Sequence, residues 1–172
     1  MSNFLIAFLS CLSIIEWVRI EDRENGFEIM MPFSPASKSD SLDSDIGRIY
    51  TRTLTCSEEK SGETNIFLAN YTRYPKDLDL LDKDSSGYYL CETIIAQVSS
   101  QLDRSTVVYK TNTEISGHPA MIAQIRYDDS SQVRIAMIIN THSMMSLQYY
   151  SNYRIGMDRD AEKFFNSYRT LK

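Results

Sequence analysis

The chain contains 172 residues, of which 42% are hydrophobic, 11% aromatic and 24% charged. This length and balance fit one folded domain with its own core, and they exclude a fully disordered chain. The 18 Lys and Arg residues against 23 Asp and Glu residues give a net charge of −5, so we expect no nucleic-acid partner, because phosphate binding needs a clustered positive surface.

The chain begins with a short apolar run at residues 4–15, and the first basic residue is Arg19. A helix needs about 20 apolar residues to cross a bilayer, so this run is too short for a spanning anchor. Its length matches the apolar part of a secretory signal peptide, although no basic residue precedes it. Residues 8–11 (FLSC) weakly resemble a bacterial lipoprotein processing site, which makes Cys11 a candidate for lipidation.

Two interpretations of residues 1–16 therefore stand side by side. As a leader, cleaved or lipidated, they favour an extracytoplasmic protein, periplasmic or membrane-anchored, whose membrane association depends on the leader or lipid alone. As a buried N-terminal element, they favour a cytoplasmic protein. The remaining residues, 17–172, are expected to form a single domain, because no linker or internal repeat divides them.

The first third of that domain has the pattern of strands. Residues 26–32 alternate apolar and polar side chains and stop at a proline, and residues 47–56 are rich in β-branched and aromatic residues. Residues 64–71 are apolar at consecutive positions, which predicts a strand covered on both faces. Residues 34–45 (SPASKSDSLDSD) are rich in Ser and Asp and predict a surface loop, and residues 57–63 predict a hairpin loop.

The clearest helix follows, with apolar residues at spacings of three and four and with Ser85 or Ser86 as its N-terminal cap. Its stripe comprises Tyr88, Cys91, Ile95, Val98 and Leu102.

Four strand-like runs between residues 107 and 149, separated by short polar turns, then predict an antiparallel meander. A closing helix begins at Asp158 or Asp160 and carries an apolar stripe that runs to Leu171. Amphipathic helices and a long antiparallel sheet must cover one another, so the residue pattern predicts a layered α+β domain.

The sequence resembles the PsbP-like superfamily, which includes the extrinsic subunit of photosystem II, a Ran-binding nuclear import factor and small bacterial lipoproteins. The resemblance depends on Trp17 before the strand with Gly26, Phe27, Ile29 and Pro32, on residues 71–75 (YTRYP), on the order of helix and meander, and on the ending at residues 164–168 (FFNSY). It implies an α/β/α sandwich, with an antiparallel sheet of about six to seven strands covered by two main helices. It also implies a protein that acts by binding other macromolecules, with no catalytic residues to transfer.

The sequence offers little chemistry for catalysis. Cys56 and Cys91 either form a disulfide in an oxidising compartment or are buried as free thiols. His118 and His142 lie in predicted turns, without partners at metal-ligand spacing. We therefore expect no catalytic residue, no metal and no cofactor.

Several tyrosines and arginines near strand ends form a candidate interaction patch, because Tyr and Arg are frequent anchors of protein interfaces. The same side chains also fit simple packing at the rim of the sheet. The residues are Tyr71, Arg73, Tyr74, Tyr150, Tyr153 and Arg154.

Three functions are consistent with the sequence. The first is a non-catalytic module that binds an unknown protein partner and is exported or membrane-anchored in a bacterium. The second is a cytoplasmic chaperone or adaptor, and the third is an enzyme whose site carries no recognisable motif.

Overall fold

The computed structural model describes residues 17–60, 62–82, 86–128, 130–152 and 159–171. Strands dominate this part of the chain, as the alternating sequence pattern predicts. The elements in chain order are β1 (Val18–Asp22), β2 (Phe27–Met31), β3 (Ala36–Ser44), β4 (Gly47–Lys60), β5 (Glu63–Arg73), α1 (Ser86–Ser100), β6 (Thr106–Ile115), β7 (His118–Tyr127), β8 (Ser131–Asn140), β9 (Ser143–Ser151), α2 (Arg159–Phe165) and β10 (Arg169–Thr170).

A seven-stranded antiparallel sheet forms the body of the fold, with the strand order β3-β4-β5-β9-β8-β7-β6. The meander predicted for residues 107–149 is β6 to β9, in which each strand pairs with the next. β5 joins the meander by pairing with β9, from Asn65 opposite Ser151 to Arg73 opposite Ser143. β3 and β6 are the two edge strands of this sheet.

Both faces of the large sheet are covered, each by its own apolar cluster, and side chains alternate between the two faces along each strand. We call the α2 face the side that carries Phe67, Leu147 and Tyr149; it shares one apolar cluster with α2 and with a small sheet of strand order β1-β2-β10. The α1 face is the opposite side, where Ile135 and Met137 share a second cluster with α1.

The ring of Phe67 lies at the centre of the first cluster. Its centroid is 4.9 Å from that of Tyr149, 5.5 Å from Phe164 of α2 and 5.9 Å from Trp17. A buried ion pair, Asp22 to Arg52 at 2.6 Å, connects β1 of the small sheet to β4 of the large one.

The structure corrects the prediction for residues 34–45. These residues are mostly strand: β3 pairs with β4 over nine successive positions, and all nine of its side chains are exposed. A fully exposed strand buries no apolar face, so it lacks the alternation by which strands are recognised. β4 is also longer than predicted and runs to Lys60. Most of the predicted 57–63 hairpin loop is therefore part of the paired strands β4 and β5.

The closing helix is shorter than predicted. It ends at Phe165, because the Ser167 hydroxyl donates to the Phe164 carbonyl at 2.7 Å while it accepts the Met30 N–H at 2.9 Å. The chain then turns into β10, which pairs with β2, so Leu171 lies beyond the helix. Ser86, a predicted N-terminal cap, lies within α1, where its hydroxyl donates to the Asp79 carbonyl. The structure also contains β1, a strand that the sequence pattern does not predict. Ser85 and Asp158 lie outside the described residues.

Candidate protein-contact site

The two described cysteines are free, buried and on opposite faces of the large sheet. Cys56 belongs to the cluster of the α2 face and Cys91 to that of the α1 face, so the disulfide considered from the sequence is wrong and the free-thiol alternative is right. Burial raises the pKa of Cys91 to about 12, and burial likewise raises the pKa of Cys56. Both thiols are therefore neutral at physiological pH and poor nucleophiles.

The histidines are used separately in the described structure. The His142 ring Nδ1 lies 3.0 Å from the Leu78 carbonyl oxygen, and the His118 Nε2 lies 3.3 Å from the Thr170 hydroxyl. Within the described ranges, no three His, Cys, Asp or Glu side chains are grouped so that they could hold a metal ion. Neither of the helices that the structure describes is long and apolar enough to cross a membrane.

The candidate tyrosine patch does not form one surface. Tyr71 is 7% exposed and lies in the cluster of the α2 face, where its ring stacks on Phe27, whereas Tyr74 is 9% exposed and lies in the cluster of the α1 face. Both tyrosines are core residues, which corrects the interpretation of them as surface anchors. The reason is that the sheet is covered on both sides, so side chains of either parity are buried.

The other patch residues divide between surface and interior. Arg73 is exposed, with its guanidinium 4.9 Å from the centroid of the Tyr50 ring. Tyr150 is half-buried against the cluster of the α1 face, and its hydroxyl donates to the Gln148 side-chain oxygen at 2.6 Å. Tyr153, Arg154 and the lipidation candidate Cys11 lie outside the described residues.

A groove lies on the α2 face of the described structure, and we call it the α2 groove. It lies between α2 and strands β6 to β8 and encloses about 200 Å³. The groove exists because α2 is only seven residues long and leaves the outer part of this face uncovered. Its lining comprises Tyr109, Thr113, Ile115, Ile122, Ala123, Arg134, Ile135, Ala136, Glu162, Phe165 and Asn166.

An ion pair fixes one wall of the α2 groove. The Arg134 guanidinium on β8 donates to the Glu162 carboxylate on α2 at 2.7 Å, and it lies 5.2 Å from the centroid of the Phe165 ring. The two charges are partly exposed, so the pair contributes more to the shape and polarity of the wall than to stability. The result is an apolar floor beside a polar, hydrogen-bonding rim.

The sequence held only a partial signal for this groove. Arg134 alternates with apolar residues along β8, which is the pattern of a partly wetted sheet face. Glu162 lies on the polar side of the predicted closing helix. Nothing local connects these two residues, which are 28 positions apart and meet only when α2 packs on the sheet.

These elements define an α+β protein, built on mostly antiparallel sheets with two helices in the described part of the chain. Among solved structures, it is similar to cyanobacterial PsbP (CyanoP) from Synechocystis sp. PCC 6803, with a TM-score of 0.54 and 12% sequence identity. The alignment covers 96% of this chain and 99% of CyanoP. The chain thus has a PsbP-like fold, which confirms the resemblance found in the sequence. No protein-family model and no curated protein matches it.

Proposed function

We propose that this protein is a non-catalytic protein-binding module and that the α2 groove receives a side chain of its partner. The observation that carries the proposal is the groove itself, an apolar floor of Ile115, Ile122 and Phe165 beside the Arg134–Glu162 pair. Interfaces gain most of their affinity where one large side chain fills such a pocket and polar groups surround it.

The size of the groove favours a protein partner over a small molecule. Pockets for drug-sized ligands enclose about 300–1,000 Å³, whereas the α2 groove encloses about 200 Å³ and is open on one side. That space suits one large apolar side chain on a protruding segment. The surroundings of the cysteines and histidines support a non-catalytic role. The two thiols are buried, and the two imidazole rings are hydrogen-bonded at separate places.

The PsbP-like resemblance supports the same class of function, because that superfamily acts by binding macromolecules. We also propose the α/β/α layering of that superfamily, which the packing of α1 and α2 against opposite faces supports. Export from a bacterial cytoplasm is a separate proposal that depends on the apolar run at residues 4–15. N-terminal sequencing of the native protein tests it: a start near residue 17 or a lipidated Cys11 would support export, and an intact unmodified N-terminus would contradict it.

Filling the groove tests the binding function. Asn166 is exposed at the groove, and its side chain makes no hydrogen bond to the residues that the structure describes, so Asn166→Tyr places bulk in the groove with little effect on stability. Gln97→Tyr is the matched control, because it adds the same exposed side chain to α1, away from the groove. Thermal melting verifies that both variants are folded.

The measurement is affinity capture from an extract of the native host, with the recovered proteins quantified for the parent chain and both variants. We expect a protein that the parent and Gln97→Tyr recover equally, with recovery by Asn166→Tyr reduced about tenfold or more, as expected when a pocket at the centre of an interface is lost. Equal recovery by both variants, or no specific recovery by the parent, would contradict the proposal.

A further inference from the structure

β6 is an edge strand that presents an open row of backbone groups. It pairs with β7 on one side, and nine of its ten side chains are exposed. Alternate N–H and C=O groups on its other side have no strand to pair with in the described sheet, and such an edge is a template for another strand. Val107, Val108 and Tyr109 are each about two-fifths exposed on this edge.

The regular part of β6 is short and well defined. A bulge between Val107 and Tyr109 interrupts the ladder with β7 at one end, and the turn at Ser116 and Gly117 closes the other end. Between them lie seven residues, 109–115, with the sequence YKTNTEI and with Asn112 at their midpoint. A bulge bends the strand locally, so an added strand can pair regularly only along residues 109–115.

We propose that β6 pairs antiparallel with β6 of a second copy of this chain, about a two-fold axis at Asn112, and joins two seven-stranded sheets into one. The segment is self-complementary in this register. Lys110 lies opposite Glu114 of the partner subunit, and the symmetry repeats this ion pair on the other side of the axis. A two-fold contact requires such self-complementarity, because the same patch serves both subunits.

The remaining pairs in this register are also favourable. Tyr109 lies opposite Ile115 of the partner subunit, which is an aromatic residue against a β-branched one, and Thr111 lies opposite Thr113 of the partner subunit. Aromatic–aliphatic, Thr–Thr and opposite-charge pairs are the combinations that stabilise neighbouring strands.

Other registers lose the charge match. Side chains keep their faces only when the partner strand slides by an even number of residues. A slide of two residues, in one direction or the other, places either Lys110 or Glu114 opposite Asn112 of the partner subunit. No ion pair forms in either case. A slide of four residues places Lys110 opposite its own copy, or Glu114 opposite its own copy. The charges of β6 therefore specify one register.

Helix α1 extends the same surface. The Lys110 ammonium lies 2.7 Å from the Glu92 carboxylate, and the Ser105 hydroxyl donates to the Ser99 carbonyl at 2.7 Å, so α1 runs antiparallel to β6. Tyr89 lies one helical turn before Glu92. Because α1 runs antiparallel to β6, Tyr89 is therefore closer than Glu92 to the level of Asn112 along the strand. Its side chain is 74% exposed. Two tyrosines thus flank the axis and add apolar area to a contact that, as strands alone, would be at the small end of stable interfaces.

Charge reversal tests the proposal in the purified full-length chain, so the result does not depend on the binding function. Sedimentation velocity over a concentration series gives the dimer dissociation constant for the parent, Lys110→Glu, Glu114→Lys and the double variant. Each single variant places like charges opposite each other at both symmetric positions, so we expect its dissociation constant to rise about tenfold or more. The double variant restores opposite charges and should return to within about threefold of the parent.

Lys38→Glu is the matched control, because Lys38 is an exposed lysine on the other edge strand, β3. It should leave the dissociation constant unchanged, and thermal melts verify that every variant is folded. A parent chain that stays monomeric, a double variant that remains as weak as the singles, or a Lys38→Glu variant that dissociates the dimer would overturn the proposal.

A cross-link tests the position of the axis. Directly opposite residues of antiparallel strands have Cα atoms about 4.5–5.5 Å apart, which is within disulfide range. Asn112→Cys should therefore give a covalent dimer under mild oxidation, beyond the level of the parent chain. Thr113→Cys should not, because it lies diagonal to its own copy, about 8 Å away. Equal cross-linking of both variants, or none for Asn112→Cys, would place the axis elsewhere and overturn the proposed register.

Discussion

Gly87, in the first turn of α1, gives a prediction whose sign is opposite to that of helix propensity. Replacing glycine with alanine inside a helix ordinarily stabilises a protein by about 0.5–1 kcal/mol. Here the added methyl group would approach the Leu80 carbonyl oxygen to well under 3.0 Å and would lie 2.9 Å from Cγ2 of Ile139. Gly87→Ala is therefore expected to destabilise the fold.

The structure sets the magnitude. The Leu80 carbonyl is backbone and accepts the Gly87 N–H at 3.1 Å, and Ile139 is 1% exposed, so neither neighbour can move away freely. Overpacking of this kind costs about 1–3 kcal/mol, and the clash with backbone favours the upper part of that range. After the helix-propensity gain is subtracted, a net loss of about 1–2 kcal/mol remains, which is a fall of about 2–8 °C in Tm for a chain of this length.

Thermal and urea denaturation of Gly87→Ala, followed by far-UV circular dichroism, measures this loss. Gln97→Ala is the control on the same helix; its side chain is exposed, and its free energy of unfolding should change by about 0.5 kcal/mol or less. A Gly87→Ala variant as stable as the parent, or more stable, would refute the close packing of α1 against the segment that contains Leu80.

Two further predictions concern buried groups. Asp22→Ala leaves Arg52 without its partner and should lower the free energy of unfolding by about 3 kcal/mol, the lower end for a buried pair because Arg52 is 29% exposed. In the same urea titration, Asp43→Ala, which breaks an exposed ion pair, should leave the midpoint nearly unchanged. The pKa of Cys91 rises from 9.0 to about 12 on folding, and that of Tyr74 from 10.0 to about 12, both through burial. The unfolded chain therefore loses these protons first, and the urea midpoint should fall as pH rises from 9 to 12; a constant midpoint would show that neither group is buried.

The predictable part of the fold is the part where apolar residues recur along buried strands. β8 is buried from Ile135 to Ile139 and β9 from Met144 to Tyr149, burial partly alternates in β7, and short polar turns separate the three strands, so the sequence predicts the meander correctly. β1 carries a similar but weaker signal, Val18 and Ile20 between charged residues, in a strand of only five residues. A short strand with half-buried side chains gives too few alternations to be recognised.

The core position of the tyrosines was not predictable from alternation alone. Alternation assigns Tyr149 and Tyr150 to opposite faces, and it does not tell whether one or both faces are covered. In the structure both faces carry a core, so Tyr149 is fully buried on the α2 face and Tyr150 is half-buried on the α1 face. The α2 groove is hidden from the sequence for a related reason, because its walls come from elements that are joined only by packing.

The two edge strands show what burial leaves undetermined. Neither β3 nor β6 contributes much to a core, so their sequences are free of the constraint that shapes the inner strands. β3 consists mainly of Ser, Asp and Lys, and Leu42 is its one large apolar side chain. This composition protects an edge strand from pairing with another strand. β6 instead keeps Val, Tyr and Thr and places Lys110 and Glu114 symmetrically about Asn112. If exposure alone had shaped both edges, they would be expected to have similar compositions; their difference is the reason to expect pairing at β6 and not at β3.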